Sequence, residues 1–146
     1  MHSAYTVKDL GLARYFLRIE ISRSHTGAFF NQRTYILDIL SDVGLTGAKP
    51  TKFPLQQGLH VSTITGPSFS NPELYKRLVG RLLYLTLTMP DISYAVQHLS
   101  QFLQQPTQAH YQAAPHVLRY LKGTTNKGLY YPANCDFHLT SYCDAD

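Results

Sequence analysis

The sequence predicts an α+β fold, and two observations carry that expectation. Apolar residues alternate with period two over residues 14 to 22, the signature of a strand. Three later stretches repeat their apolar residues every three to four positions, the signature of amphipathic helices. A stretch rich in Gly, Pro, Ser and Thr, residues 46 to 71, separates the two regimes. The 146 residues suffice for one sizeable core, and 44% apolar with 15% charged residues is the balance of a globular chain.

Each element has its own local reason. Arg14 to Ser22 reads RYFLRIEIS, which puts Tyr15, Leu17, Ile19 and Ile21 on one strand face and Phe16, Arg18 and Glu20 on the other. His25-Thr26-Gly27 is a turn signal before a second apolar run, Ala28 to Asn31, so the pair predicts a β-hairpin. From Arg33 to Val43 the period changes, and Tyr35, Ile36, Ile39, Leu40 and Val43 mark a helical face that Gly44 would end. Residues 1–45 are therefore read as strand, strand, helix.

Residues 46–71 are read as an irregular connection wrapped over the surface. Residues 72–124 are read as helical. Asn71 is placed to cap a helix with Pro72 at its first position. Leu74, Leu78, Leu82 and Leu85 form its apolar stripe, widened by Tyr75 and Val79. The helix should stop before Pro90. Thr88 and Asp91 are three apart and predict a capping-box restart, after which Ile92, Ala95, Val96, Leu99, Phe102 and Leu103 face inward. A third helix is predicted over Gln108 to Lys122, ended by Gly123 and kinked at Pro115. Gly80, inside the first of the three, is read as a close-packing position. Residues 125–146 hold two short strand candidates, Lys127 to Tyr131 and Phe137 to Cys143.

A net charge of +4 and a pI of about 9.1 permit a nucleic-acid partner without requiring one. Cys135 and Cys143 form no C-x-x-C pair and no disulfide framework, so a reducing, intracellular compartment is expected, cytoplasmic or nuclear. The N-terminal MHSAYTVKDLG lacks the apolar segment of a signal peptide, and Leu82 to Met89 is too short to span a bilayer. No membrane partner is expected.

The candidate functional residues are mostly basic. Lys76, Arg77 and Arg81 share the polar side of the first long helix. His116, Arg119 and Lys122 recur every three residues in the third, with Lys127 beyond. That spacing lets cationic side chains follow successive phosphates. The plain alternative is a solvated charged face. Cys135-x-x-His138 with Cys143 falls short of a metal set: a strand would point His138 and Cys143 to opposite faces, and a fourth ligand is missing. No metal site is assigned. Asp144 and Asp146 close the chain without an acidic partner upstream. No nucleophile elbow, Walker loop or H-E-x-x-H string occurs, so no complete catalytic set is assigned.

Several strings, taken in order, resemble one lineage. VKDLGLARYFLRIEI, FFNQRTYILDILSDVGL, AKPTKFPL, YKRLVGRLLYLTLTMPDISYAV, HVLRYLKGTTNKGLYY and SYCDAD are similar to consecutive parts of copia-type LTR retrotransposon Pol polyproteins. The resemblance implies that residues 1–45 are the end of a reverse transcriptase palm. It implies that 46–71 are a linker, 72–124 a thumb and connection region, and 125–146 the start of an RNase H domain. It implies that the polymerase aspartates lie upstream of residue 1, and that Asp144 matches the first RNase H carboxylate. One carboxylate cannot run two-metal chemistry, so Mg²⁺ belongs to the parent enzyme and no cofactor to this segment. An RNA/DNA heteroduplex, the palm and RNase H portions of the polyprotein, and a second copy are the implied partners. An interaction module without nucleic-acid function is the alternative. Four positions depart from the family pattern: Arg18 for a usual glycine, Met89 for arginine, Tyr111 for tryptophan, and Pro115 within a usually continuous helix.

Overall fold

The computed structural model describes residues 11–55, 66–136 and 138–143. Among them are four strands in one antiparallel sheet, ordered β1-β2-β3-β4, and four α-helices. The fold is α+β.

The sheet opens with a correction. The single strand expected over residues 14 to 22 is a tight hairpin, β1 (Tyr15–Phe16) and β2 (Ile19–Ser24), reversed at Leu17-Arg18. Both loop residues have positive φ, 46° and 65°, the requirement of the turn that matches strand twist. Phe16 pairs with Ile19 and Tyr15 with Glu20, so the alternation shifts by one across the loop. Tyr15 thereby leaves the face it was expected to share with Ile19 and Ile21.

β3 (Gly27–Asn31) follows through the expected turn, and β4 (Leu129–Pro132) adds to its far edge with Phe30 opposite Leu129 and Gly27 opposite Pro132. Two glycines allow that approach. A Cβ at Gly27, whose φ is +157°, would fall 2.3 Å from the Tyr131 carbonyl oxygen; one at Gly128 would fall 2.2 Å from that of Phe30. This pairing joins segments that the sequence placed at opposite ends of the chain. Of the strand expected over Phe137 to Cys143, Phe137 lies outside the described residues and residues 138–143 form no strand.

α1 (Arg33–Asp42) begins where β3 ends. Its cap residue, Gln32, makes no side-chain capping bond; Glu20 of β2 instead accepts a 2.8 Å hydrogen bond from the Thr34 N–H. A carboxylate at a helix N-terminus satisfies an orphan donor and complements the dipole. α2 (Pro72–Leu85) starts as expected, with the Asn71 side chain accepting from the Leu74 N–H.

The restart at Pro90 differs from expectation. A 3₁₀ turn, Pro90–Ile92, leads into α3 (Ser93–Ser100) without a side-chain cap. Both residues of the expected capping box are taken by distant partners. Thr88 donates to the buried Gln32 amide oxygen at 2.8 Å, and Asp91 accepts from the Tyr120 hydroxyl at 2.5 Å. α4 (Gln108–Gly123) carries the capping box instead: Thr107 and His110 bond reciprocally at its start, and the helix continues through Pro115.

The buried core is made by α1 through α4 and their adjoining loops. Ile36, Ile39, Tyr75, Leu82, Leu85, Ile92, Leu99, Leu118 and Leu121 are each essentially inaccessible, and no strand residue joins them. The Tyr75 hydroxyl donates to the Leu99 carbonyl at 2.8 Å, tying α2 to α3, and burial pushes its pKa upward. Met89, the departure from a usual arginine, is buried in this core, and Tyr111 stacks on Phe69 at 4.2 Å. Gly80 is exposed, and a Cβ there would meet nothing within 4 Å; it is not the close-packing site expected.

Candidate functional site at the sheet and helix junction

The β1–β2 loop, α1 and α2 meet around the Tyr35 ring. The Arg18 guanidinium lies 5.5 Å from its centroid and that of Arg81 lies 5.7 Å away. Each arginine is also held by a carboxylate of α1: Arg18 by Asp38 at 2.8 Å and Arg81 by Asp42 at 2.7 Å. Tyr84 meets Tyr35 edge to face and donates its hydroxyl to the Leu17 carbonyl, pinning the turn. Arg77, one helical turn before Arg81, lines a cleft of about 350 Å³ with Asp42, Val43, Leu74, Leu78 and Arg81.

The geometry separates the sequence-derived candidates into groups. Lys76 is exposed and paired to Glu73 at 2.8 Å within its own helix. Arg77 is exposed, with no ion pair among the described residues. Arg81 is half-buried in the aromatic cluster. Arg18, which the sequence placed on a strand face, joins Arg77 and Arg81 on this junction. The signal that marked it was its place in a string where glycine is usual, since a positive φ puts the side chain at the tip of a turn.

The α4 residues serve a different neighbour. Residues 46 to 53 form a strap lying along the helix. Lys122 donates to the Thr46 carbonyl and, at 2.7 Å, to that of Ala48. The Thr51 N–H donates to the Arg119 carbonyl at 3.3 Å. His116 hydrogen-bonds the backbone of Phe53, and its Nδ1 lies 3.1 Å from Arg119. Burial and the Arg119 charge lower the His116 pKa, with the Phe53 bond partly opposing them. The spacing of three that suggested phosphates matches the rise of the strap along the helix. Lys127 is exposed beyond it.

Asp144 lies outside the described residues. Cys135, His138 and Cys143 are exposed. Mg²⁺ needs converging oxygen ligands. Among the described residues no three His, Cys, Asp or Glu side chains come together as a group that could hold a metal ion. Among the described residues no helix is long and apolar enough to cross a membrane.

Fold and junction define a small α+β scaffold with a cation and aromatic cluster where sheet and helices meet. The chain is 43% identical over 142 residues to the retrovirus-related Pol polyprotein from transposon RE1 of Arabidopsis thaliana. It is 34% identical over an alignment of 155 residues to that from transposon TNT 1-94 of Nicotiana tabacum, and 39% identical over 146 residues to an uncharacterized mitochondrial protein of Arabidopsis thaliana. These matches cover 97%, 100% and 100% of this chain, but only 10%, 12% and 60% of the respective relatives. No family model matches, and no solved structure matches. These relatives include copia-type retrotransposon Pol polyproteins, and the chain is similar over nearly its whole length to one segment of them.

Proposed function

We propose that this segment is a nucleic-acid-holding scaffold of a retrotransposon reverse transcriptase, without catalysis of its own, whose junction grips the backbone of an RNA/DNA heteroduplex. The observation that supports this reading is the placement of Arg18 and Arg81 over the Tyr35 ring, with Arg77 beside Arg81 in the adjoining cleft. Aspartates hold Arg18 and Arg81 in place through single nitrogens, leaving the rest of each guanidinium fork for phosphate oxygens. Arg77 is the contact whose loss disturbs no ion pair among the described residues.

Titrating a labelled hybrid duplex at several salt concentrations tests the reading. Each phosphate contact removed should reduce the slope of log K against log salt by about 0.9. Arg77→Glu is expected to weaken binding and flatten that slope, with the melting temperature unchanged. Equal affinity and slope for wild type and Arg77→Glu would sink the proposal, as would template-directed DNA synthesis by the purified segment with Mg²⁺.

One observation favours a second reading, a protein-interaction module. β1 is an edge strand, and Leu12, Tyr15, Phe16 and Leu17 beside it are all more than half exposed. Such an edge can pair with its counterpart on a second copy about a two-fold axis. Sedimentation velocity should then show a dimer that Phe16→Lys dissociates; a strict monomer at tens of micromolar excludes it.

A further inference from the structure

The strap ends at a second site, distinct from the junction. Phe53, Pro54 and Leu55 face Asp91, Tyr94 and Ala95 of the α3 start across a cleft of about 190 Å³. Its walls are apolar except for the Asp91 carboxylate. Tyr94 is 72% and Phe53 61% exposed, although burying either ring would be favourable, so both present free aromatic surface at the cleft. One Asp91 oxygen is fixed by the Tyr120 hydroxyl, which orients the carboxylate.

Aromatic walls with one carboxylate suit two kinds of guest, a nucleobase bearing an amino group or a cationic side chain. The surroundings choose between them. His116 contacts the Phe53 backbone and bonds to Arg119, which has no carboxylate partner among the described residues. A guanidinium beside the strap repels a lysine or arginine guest and attracts a phosphate. We infer that this cleft binds a single unpaired nucleobase between Phe53 and Tyr94, with Asp91 accepting a hydrogen bond from the base's amino group and Arg119 favouring the attached phosphate.

The inference is independent of the heteroduplex reading. Adenine, cytosine and guanine offer the carboxylate an exocyclic amino group, whereas unpaired thymine offers only its ring N3–H, so the amino-bearing bases should be preferred. A short single-stranded DNA carrying 2-aminopurine reports stacking by quenching. The whole 146-residue chain should quench it saturably, and oligo-dC or oligo-dA should compete at least threefold better than oligo-dT. Tyr94→Ala, which removes an exposed ring, should abolish quenching with the melting temperature kept. Asp91→Asn should erase the preference over oligo-dT; Tyr120→Phe, which removes only the hydroxyl bonded to Asp91, controls for loss of that bond. Arg77→Glu should leave quenching intact while weakening duplex binding, so the two proposals fail separately. Absence of quenching, quenching that survives Tyr94→Ala, or displacement of the probe by a lysine-rich peptide in preference to any oligonucleotide would overturn it.

Discussion

Arg18 shows how one backbone angle reorganises a reading. An L residue in the left-handed region costs roughly 1–2 kcal/mol relative to the right-handed one, a penalty glycine avoids. Arg18 offsets that cost with an exposed ion pair to Asp38 and a cation–π contact to Tyr35, each worth roughly 0.5–1 kcal/mol at such sites. Arg18→Gly should therefore leave stability nearly unchanged, whereas Arg18→Ala keeps the strain and loses the contacts. Urea denaturation should place Ala below Gly by about 1 kcal/mol, the reverse of their order in a helix. Gly80 supplies that ordinary order: with open space around its Cα, Gly80→Ala should stabilise α2 by roughly 0.5–1 kcal/mol, read in the same experiment. The turn at Leu17-Arg18 was invisible in the sequence because neither residue type favours positive φ. Apolar alternation reads the same whether a strand continues or folds back.

Elements were legible where a local signal and a tertiary contact agree. Asn71 and Pro72 start α2, the leucine stripe buries it, and Gly44, at φ +70°, follows α1. They were illegible where a distant residue took a local role. Glu20 caps α1 from another strand, and Thr88 and Asp91 abandon their capping box for Gln32 and Tyr120. The Asp91–Tyr120 bond, which joins the start of α3 to α4, has a measurable pH signature. The carboxylate's hydrogen bond, then burial, then its charge raise the Tyr120 pKa from 10.0 to about 12. Between those values the folded chain holds a proton that the unfolded chain has lost, so the bond's contribution is complete below pH 10 and disappears as pH rises through about 12. Urea midpoints measured across that range should fall, and Tyr120→Phe should make the fall shallower. Tyr75, raised in the same direction by burial, contributes to the fall as well.

At the scale of the whole molecule, the α+β class was readable, and so was the lineage, because ordered strings survive the drift of single residues. The proposed binding surface was only half readable. Basic residues spaced by three on a helix have no way to declare their partner. On α2 the spacing leaves Arg77 facing solvent, while on α4 it lays Lys122 on strap carbonyls. Reversing Lys122 would therefore test the strap's anchorage rather than any phosphate contact, so Arg77 carries the binding test. Only the three-dimensional path of residues 46 to 53 distinguishes those roles.

The pairing of β4 with β3 also sets an order of events during synthesis. Tyr130 reaches Thr26 across 104 positions of chain, and all four α-helices lie between the two strands. A chain leaving the ribosome can form the β2–β3 hairpin early, but the outer edge of β3 stays open until residues 129 to 132 emerge. Contacts so far apart close slowly. During that interval the exposed edge is available to a neighbouring nascent chain on the same message, and the rate of elongation, rather than the final stability, governs how often the sheet closes on its own strand.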